Sequence, residues 1–356
     1  MPSHTYHVIG VMSGTSLDGI DLALCTFQKE QQWQYKLHKA TTVPYSEAWQ
    51  KRLRNAVHNS VDDLHQLNQD YTLYLANVIQ PFINQCEAVP EFKKIDAVCS
   101  HGHTILHQPE KGITLQIGNL PILATLLNKT VVCDFRKQDV ALGGQGAPLV
   151  PIGDQLLFSD YDYCLNLGGF ANVSTQEKNR RIAYDICPVN IVLNPLAERL
   201  GAPYDDGGKF AKQGDMLPQL LEKLNNLPFY KQNYPKSLGL EWVLKNVFPL
   251  LDTNRYTTED LLRTFTEHSA IQLATNFTQN SSVLVTGGGA YNRYLIERVK
   301  AHKTVNFIHP DDTLINYKEA LIFGLLGVLK LRDDVNCLAS VTGSQHDHSS
   351  GVVYKQ

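Results

Sequence analysis

Ser13-Gly14-Thr15-Ser16-Leu17-Asp18-Gly19-Ile20-Asp21 is the stretch on which the fold turns. It lies between two apolar runs, residues 6–12 and 20–27, each of strand length, and is itself built of turn-formers. The pattern predicts a β-hairpin with a polar tip. Small hydroxyl residues and glycines leave backbone N–H groups uncovered, which suits the tip to a phosphate. Asp18 and Asp21 add two carboxylates able to hold a metal ion or a water. The plain alternative is an ordinary hairpin turn. The common P-loop is excluded, because no Lys follows the glycine and the next segment reads as strand rather than helix. A dinucleotide fingerprint fails for the same reason.

Outward from the tip, composition sets the frame. A chain of 356 residues exceeds one ordinary core, so two domains are expected. Its 43% hydrophobic and 19% charged residues are those of a soluble globular protein. A net charge of −3 offers no basic surface for nucleic acid. Seven scattered cysteines with no Cys-x-x-Cys pair favour reduced thiols in a cytoplasm over a disulfide framework. Met1-Pro2-Ser3-His4 leads almost directly into a strand, with no signal peptide expected. The longest apolar run, residues 320–329, is too short to span a bilayer.

Along the chain, a strand at 33–38 precedes helices at 47–58 and 61–86. Ser60 is placed to cap the second of these, and Pro81 to kink or end it. Residues 95–100 read as a buried strand, followed by a loop containing His101-Gly102-His103-Thr104. His101, His103 and His107 have a spacing that invites a metal, but no Cys or carboxylate completes a usual ligand set, so a ligand-contacting loop is expected instead. A strand at 114–117, a helix at 120–128 and a strand at 130–135 follow. The last delivers Arg136, Lys137 and Asp139 to its C-terminal end, where ligands collect in open α/β sheets. Gly143-Gly144-Gln145-Gly146-Ala147-Pro148 reads as a flexible break. The expected division is 1–140 and 141–334, with the tail 335–356 returning to the first part.

Residues 163–174 repeat the opening theme of strand, glycine turn and strand around Gly168 and Gly169, which suggests an internal duplication. A strand at 181–186 carries Asp185 and is broken by Cys187-Pro188; a helix at 190–200 ends at Gly201. Helices are expected at 217–224, 241–250 and 257–277; between the first two lies Pro235-Lys236-Ser237-Leu238-Gly239, a loop with one cation. Val283-Leu284-Val285-Thr286 is a strand running into Gly287, Gly288 and Gly289, then a helix at 293–301. Such a glycine run lets backbone approach a nucleotide closely; a tight packing turn is the alternative. A helix at 318–331 has Glu319 in its first turn, and the tail ends in a short strand at 352–354. A metal role for His346 and His348 is a further, weaker option.

Three glycine turns at predicted strand ends, brought together by two domains facing a cleft, describe an ATPase of the actin and sugar-kinase type. Phosphoryl transfer then needs glycine backbone for charge, carboxylates for Mg²⁺ and one carboxylate to activate the nucleophile. Asp185 is best placed for the last role, with capping of the helix at 190–200 as its alternative.

The residues also carry a resemblance. The run from Gly14 to Asp21 resembles the signature of anhydro-N-acetylmuramic acid kinases. So do Asp134-Phe135-Arg136, the stretches 143–151 and 166–173, Pro235-Lys236-Ser237, the stretch 287–292 and Ser340-Val341-Thr342-Gly343, in order over nearly the whole chain. The resemblance implies a two-domain actin-like ATPase (ribonuclease H-like) α/β fold with a central interdomain cleft. It further implies a cytoplasmic homodimer acting in peptidoglycan recycling, with no nucleic-acid or membrane partner. The implied reaction converts 1,6-anhydro-N-acetylmuramic acid, ATP and water to N-acetylmuramic acid 6-phosphate and ADP. The family's catalytic base falls on Asp185. By resemblance and position, Gly14, Thr15, Ser16, Leu17, Asp18, Gly19, Ile20, Asp21, Gly168, Gly169, Gly287, Gly288 and Gly289 bind ATP. Asp18 and Asp21 are candidates for Mg²⁺, and His101, Arg136 and Glu319 for the sugar.

Two departures stand out. The family's Phe-Asp-Thr-Gly-Pro-Gly-Asn block reads Tyr184-Asp185-Ile186-Cys187-Pro188-Val189-Asn190 here, so both glycines are gone. The Cβ atoms of Cys187 and Val189 are expected to crowd a ligand at that backbone. After Pro151, Ile152-Gly153-Asp154 replaces the usual aromatic and His. These changes keep open a kinase for a different anhydro or amino sugar. A third option is a nucleotide-binding scaffold without turnover.

Overall fold

A computed structural model describes residues 4–356; Met1–Ser3, and the expected direct start into the first strand, lie outside the described residues. The chain forms two compact units. One runs to Leu157 and includes Tyr317–Gln356; the other is Phe158–Asn316.

The first unit opens with the expected hairpin, β1 (His4–Ser13) and β2 (Gly19–Lys29), antiparallel and continued by β3 (Trp33–Pro44). Helices α1 (Glu47–Asn55) and α2 (Val61–Glu87) follow, then β4 (Ala97–Gln108), β5 (Ile113–Ile117), α3 (Ile122–Leu127), β6 (Val131–Cys133), α4 (Lys137–Ala141) and α5 (Pro151–Leu157). β4 lies parallel to β1, and β6 parallel to β4.

The second unit repeats the meander as β7 (Tyr163–Leu167), β8 (Phe170–Glu177) and β9 (Arg180–Pro188). It continues through α6 (Asn190–Glu198), α7 (Lys209–Gln213), α8 (Pro218–Asn225), α9 (Leu240–Asn246), α10 (Thr258–Asn276), β10 (Ser282–Thr286), α11 (Arg293–His302) and β11 (Asn306–Ile308). α12 (Asp312–Leu331) leads back to the first unit, where α13 (Ala339–Thr342) and β12 (Val352–Tyr354) close the chain.

The sheet orders are β12-β6-β4-β1-β2-β3, with β5 on β4, and β11-β10-β7-β8-β9. Each unit thus carries the same path: an antiparallel meander, then parallel strands added beside its first strand. This duplication in two mixed α/β sheets is the actin-like fold expected from the repeated glycine hairpins.

Several boundaries differ from expectation. Gly143–Pro148 is no linker. Asp139 pins it inside the first unit: its carbonyl accepts the Gly144 N–H at 2.8 Å and its Oδ2 the Gly146 N–H at 2.6 Å. The first unit therefore reaches Leu157 rather than 140, and the chain rejoins it at Tyr317 rather than 335. The stretch 101–104 continues β4 instead of forming a loop, and β9 runs through Cys187 to Pro188. α12 begins at Asp312, so Glu319 stands two turns in rather than in its first turn. α2 runs past Pro81 to Glu87, and Ser60 accepts the Asp63 N–H at 3.2 Å as the expected cap.

Packing follows the apolar pattern. α2 buries Leu67, Tyr71, Leu75, Ile79, Phe82 and Ile83, side chains whose complete burial contributes about 1.5–3 kcal/mol each when apolar. α12 crosses the first sheet at very short range. A Cβ at Gly10 would fall 1.9 Å from the Ala320 carbonyl oxygen, and one at Gly327 would fall 2.1 Å from Cys99 Sγ.

Candidate active site

In the first unit the hairpin tip is held from beneath. Ser13 Oγ lies 2.6 Å from Tyr45 Oη and 2.8 Å from His103 Nδ1, and all three side chains are buried. Burial lowers His103 to about 4 and raises Tyr45 to about 12, so both are neutral near pH 7. Leu17 sits at φ 62°, an outlier for a bulky residue, because its side chain belongs to the core while its N–H bonds back to the Gly14 carbonyl at 3.3 Å. Among the expected nucleotide contacts, Leu17, Gly19 and Ile20 are buried and serve the sheet. Thr15, Ser16 and Asp18 are exposed. The N–H groups of Thr15 and Ser16 have no partner among the described residues.

Four charged groups cluster beside the tip. Asp21 accepts the Thr42 hydroxyl at 2.6 Å; burial raises its carboxyl, Thr42 lowers it and Asp18 raises it. Burial likewise raises Glu319, against the pull of Arg136 and with the push of Asp21. Glu319 keeps one side open to solvent. Arg136 donates from Nε to His101 Nε2 at 2.9 Å and from Nη1 to the Gly146 carbonyl at 2.7 Å. Burial brings Arg136 down to about 10, while Glu319, Cys337 and Asp139 oppose the shift, so it stays charged. His101 is no sugar contact. It is 3% exposed, its Nδ1 faces the Gly102 carbonyl at 2.9 Å, and its Nε2 accepts from Arg136. Burial, then Arg136, holds it well below the ordinary imidazole range. It steers the guanidinium and leaves Nη2 without a protein hydrogen bond.

In the second unit two glycine turns adjoin. Gly168 and Gly169 are pinned to the start of α6: the Gly169 carbonyl accepts from Val189 at 2.8 Å and from Ile191 at 3.2 Å. Gly287 has φ 80°, and a Cβ there would meet Asn166 Oδ1 at 2.5 Å and the Leu167 carbonyl at 2.9 Å. At Gly288 a Cβ would meet nothing within 4 Å. The N–H groups of Gly169, Gly288 and Gly289 have no partner among the described residues, which leaves them for an anion.

Asp185 lies on β9 at the bulge opposite Asn172. Its Oδ2 accepts the Leu238 N–H at 2.8 Å, and its own N–H donates to the Lys236 carbonyl at 3.1 Å. Burial pushes its carboxyl up to about 6, against the Leu238 hydrogen bond. Its second oxygen has no protein partner. The capping alternative fails, since α6 starts without a side-chain cap.

Cys187 and Val189 turn their side chains into the core of this unit, where both are wholly buried. In the first unit Asp154 forms a buried ion pair with Lys318 at 2.6 Å, a partner that a single sequence does not reveal. The Ser13–Tyr45–His103 set escaped the sequence for the same reason, its members being 32 and 90 residues apart.

A family model described as anhydro-N-acetylmuramic acid kinase matches residues 6–356. The chain belongs to the anhydro-N-acetylmuramic acid kinase family. As a member it is a kinase. A relative named for that activity in Vibrio vulnificus (strain CMCP6) is 33% identical over 98% of both chains. One in Bacillus cereus (strain AH187) is 34% identical over 95% of this chain and 96% of its own. Among solved structures, the ROK hexokinase from Thermus thermophilus is 12% identical, covering 92% of this chain and 99% of that chain with a TM-score of 0.39. A ligand-bound xylulose kinase from Lactobacillus acidophilus is 11% identical, covering 98% and 94%, at 0.40.

Proposed function

We propose that this kinase takes 1,6-anhydro-N-acetylmuramic acid, ATP and water to N-acetylmuramic acid 6-phosphate and ADP. The observation that carries this reading is Asp185: a strand-fixed carboxylate with one free oxygen and a pKa near that of an effective base at neutral pH. Asp185 takes a proton from water, and the water oxygen bonds to C1. The C1–O6 bond breaks, O6 bonds to the γ-phosphorus, and the bond from that phosphorus to the β-phosphate oxygen breaks to release ADP. Family membership supports the substrate and the use of ATP.

Gly14, Thr15 and Ser16, Gly168 and Gly169, and Gly287, Gly288 and Gly289 bind ATP, supported by the unclaimed N–H groups at these turns. Arg136 meets the lactyl carboxylate or hydroxyls of the sugar through its free amino group, and Glu319 lies beside it. Asp18 and Asp21 fit Mg²⁺: burial first, and then the nearby Asp18 carboxylate, raise the Asp21 carboxyl, and a cation between the two would offset both. The ion would supply charge neutralisation at the phosphates. A cytoplasmic homodimer acting in peptidoglycan recycling belongs to the same reading. In keeping with it, no helix among the described residues is long and apolar enough to cross a membrane.

Mass spectrometry of the product formed in ¹⁸O-water tests the reaction. The expected product has label at C1 and phosphate on O6. Phosphorylation of ordinary N-acetylglucosamine but not of the anhydro sugar contradicts it. ATP binding with no product at all points to a scaffold.

A further inference from the structure

Asp139, Cys337 and His348 converge in the first unit, and none belongs to the nucleotide or sugar machinery. They are 0%, 1% and 5% exposed. One ligand-capable atom of each lies within 4.8 Å of those of the others. Cys337 Sγ is 3.1 Å from Asp139 Oδ1, and His348 Nε2 is 3.6 Å from the same oxygen.

One ring nitrogen beside this oxygen is left over. His348 Nδ1 is 3.0 Å from the His346 carbonyl, which only accepts, so Nδ1 carries a proton. Nε2 is buried and makes no hydrogen bond. Asp139 Oδ1 accepts the Thr342 hydroxyl at 2.7 Å and, among the described residues, the Cys337 thiol at 3.1 Å. A buried ring nitrogen therefore faces a carboxylate oxygen at 3.6 Å with no hydrogen bond of its own, a position that a bound cation would satisfy.

We propose that Asp139, Cys337 and His348 form a structural site for a divalent metal ion of the zinc class. Carboxylate, thiolate and imidazole are the donors of such an ion, and donors held at about 2.0–2.3 Å in a tetrahedron stand roughly 3.2–3.8 Å apart. The 3.6 Å edge falls within that spacing, and the 3.1 Å edge is slightly shorter, as a thiol hydrogen-bonded to the carboxylate is before a metal replaces its proton. Thr342 Oγ1 adds an oxygen beside the cluster, 2.7 Å from Asp139 Oδ1 and 4.0 Å from Sγ, and its proton can turn to the Leu338 carbonyl at 3.3 Å or to Ser344 Oγ at 3.2 Å. Outer contacts already fix the ligands: the His346 carbonyl sets the ring, and the Gly146 N–H holds Asp139 Oδ2. On binding, the Cys337 thiol releases its proton to solvent as the metal–sulfur bond forms. The ion joins the C-terminal segment to the loop whose Gly146 carbonyl positions Arg136.

The test is metal analysis of the full-length chain, purified reduced, without a histidine tag or chelator. About one zinc per chain is expected. Cobalt exchange is expected to give thiolate-to-metal charge-transfer and tetrahedral ligand-field bands. Cys337→Ser and His348→Gln are each expected to lose metal and bands. The proposal is overturned if wild-type protein incubated with Zn²⁺ and desalted retains none, or if both variants retain as much as wild type. Because the first arm uses the unaltered chain, misfolded variants leave it decisive. An imidazolium at His348 in metal-free protein, seen by nitrogen NMR, also overturns it, the cation then being a proton.

Discussion

At Asp185 the geometry and the chemistry meet in one carboxylate. Asp185→Asn keeps the shape and the acceptor for Leu238 but removes the base. Turnover is expected to fall about 10²- to 10⁴-fold with ATP affinity unchanged, read by steady-state kinetics and nucleotide titration. The base must be unprotonated to act, and burial puts its pKa at about 6. The value of kcat/KM should therefore rise with pH through about 6 and level off above it; a profile flat from pH 5 to 7 contradicts the assignment. Adjacent glycines make a sharper pair. Gly287→Ala forces a positive φ and a 2.5 Å contact with Asn166, so a stability loss of about 1–3 kcal/mol is expected in denaturant titration. Gly288→Ala meets open space, so the fold is expected to hold while the KM for ATP rises about tenfold, roughly 1.4 kcal/mol.

Among the elements, the hairpin meanders were legible because period-two apolar runs flanked glycine turns twice over, in β1–β3 and β7–β9. The part of β4 beyond Ser100 was not. His101-Gly102-His103 looks polar and loop-like, yet its histidines are buried because Arg136 and Ser13 engage their ring nitrogens. Those partners come from distant segments, which local pattern cannot supply. The start of α12 was hidden likewise: 312–317 mixes polar residues with Leu314, Ile315 and Tyr317, so the long apolar run at 320–329 announces only the later turns. At the candidate site, Asp185 and the glycine turns were readable from position, whereas the inward direction of Cys187 and Val189 needed the core around them. α12 also makes the firmest prediction at this scale. Gly10→Ala places a methyl against the Ala320 carbonyl, and backbone cannot yield as a side-chain tip can. A loss of about 3 kcal/mol in chemical denaturation is expected, at the upper end for an added methylene.

For the whole molecule, all seven cysteines are buried and stand outside any disulfide, and burial raises the thiol pKa of most of them. A thiol reagent is expected to label the native chain only slowly and to label every cysteine once it unfolds; rapid labelling of native protein would show that the first or second core is open. The last strand carries a different consequence. β12 completes the edge of the first sheet beside β6, and Ser350 ties it down by donating to the Phe135 carbonyl at 2.6 Å. Everything the second unit needs, by contrast, lies within 158–316. On the ribosome the later-encoded unit therefore has its full complement of strands first. The unit that starts the chain waits, with one sheet edge bare, until the final residues emerge from the exit tunnel.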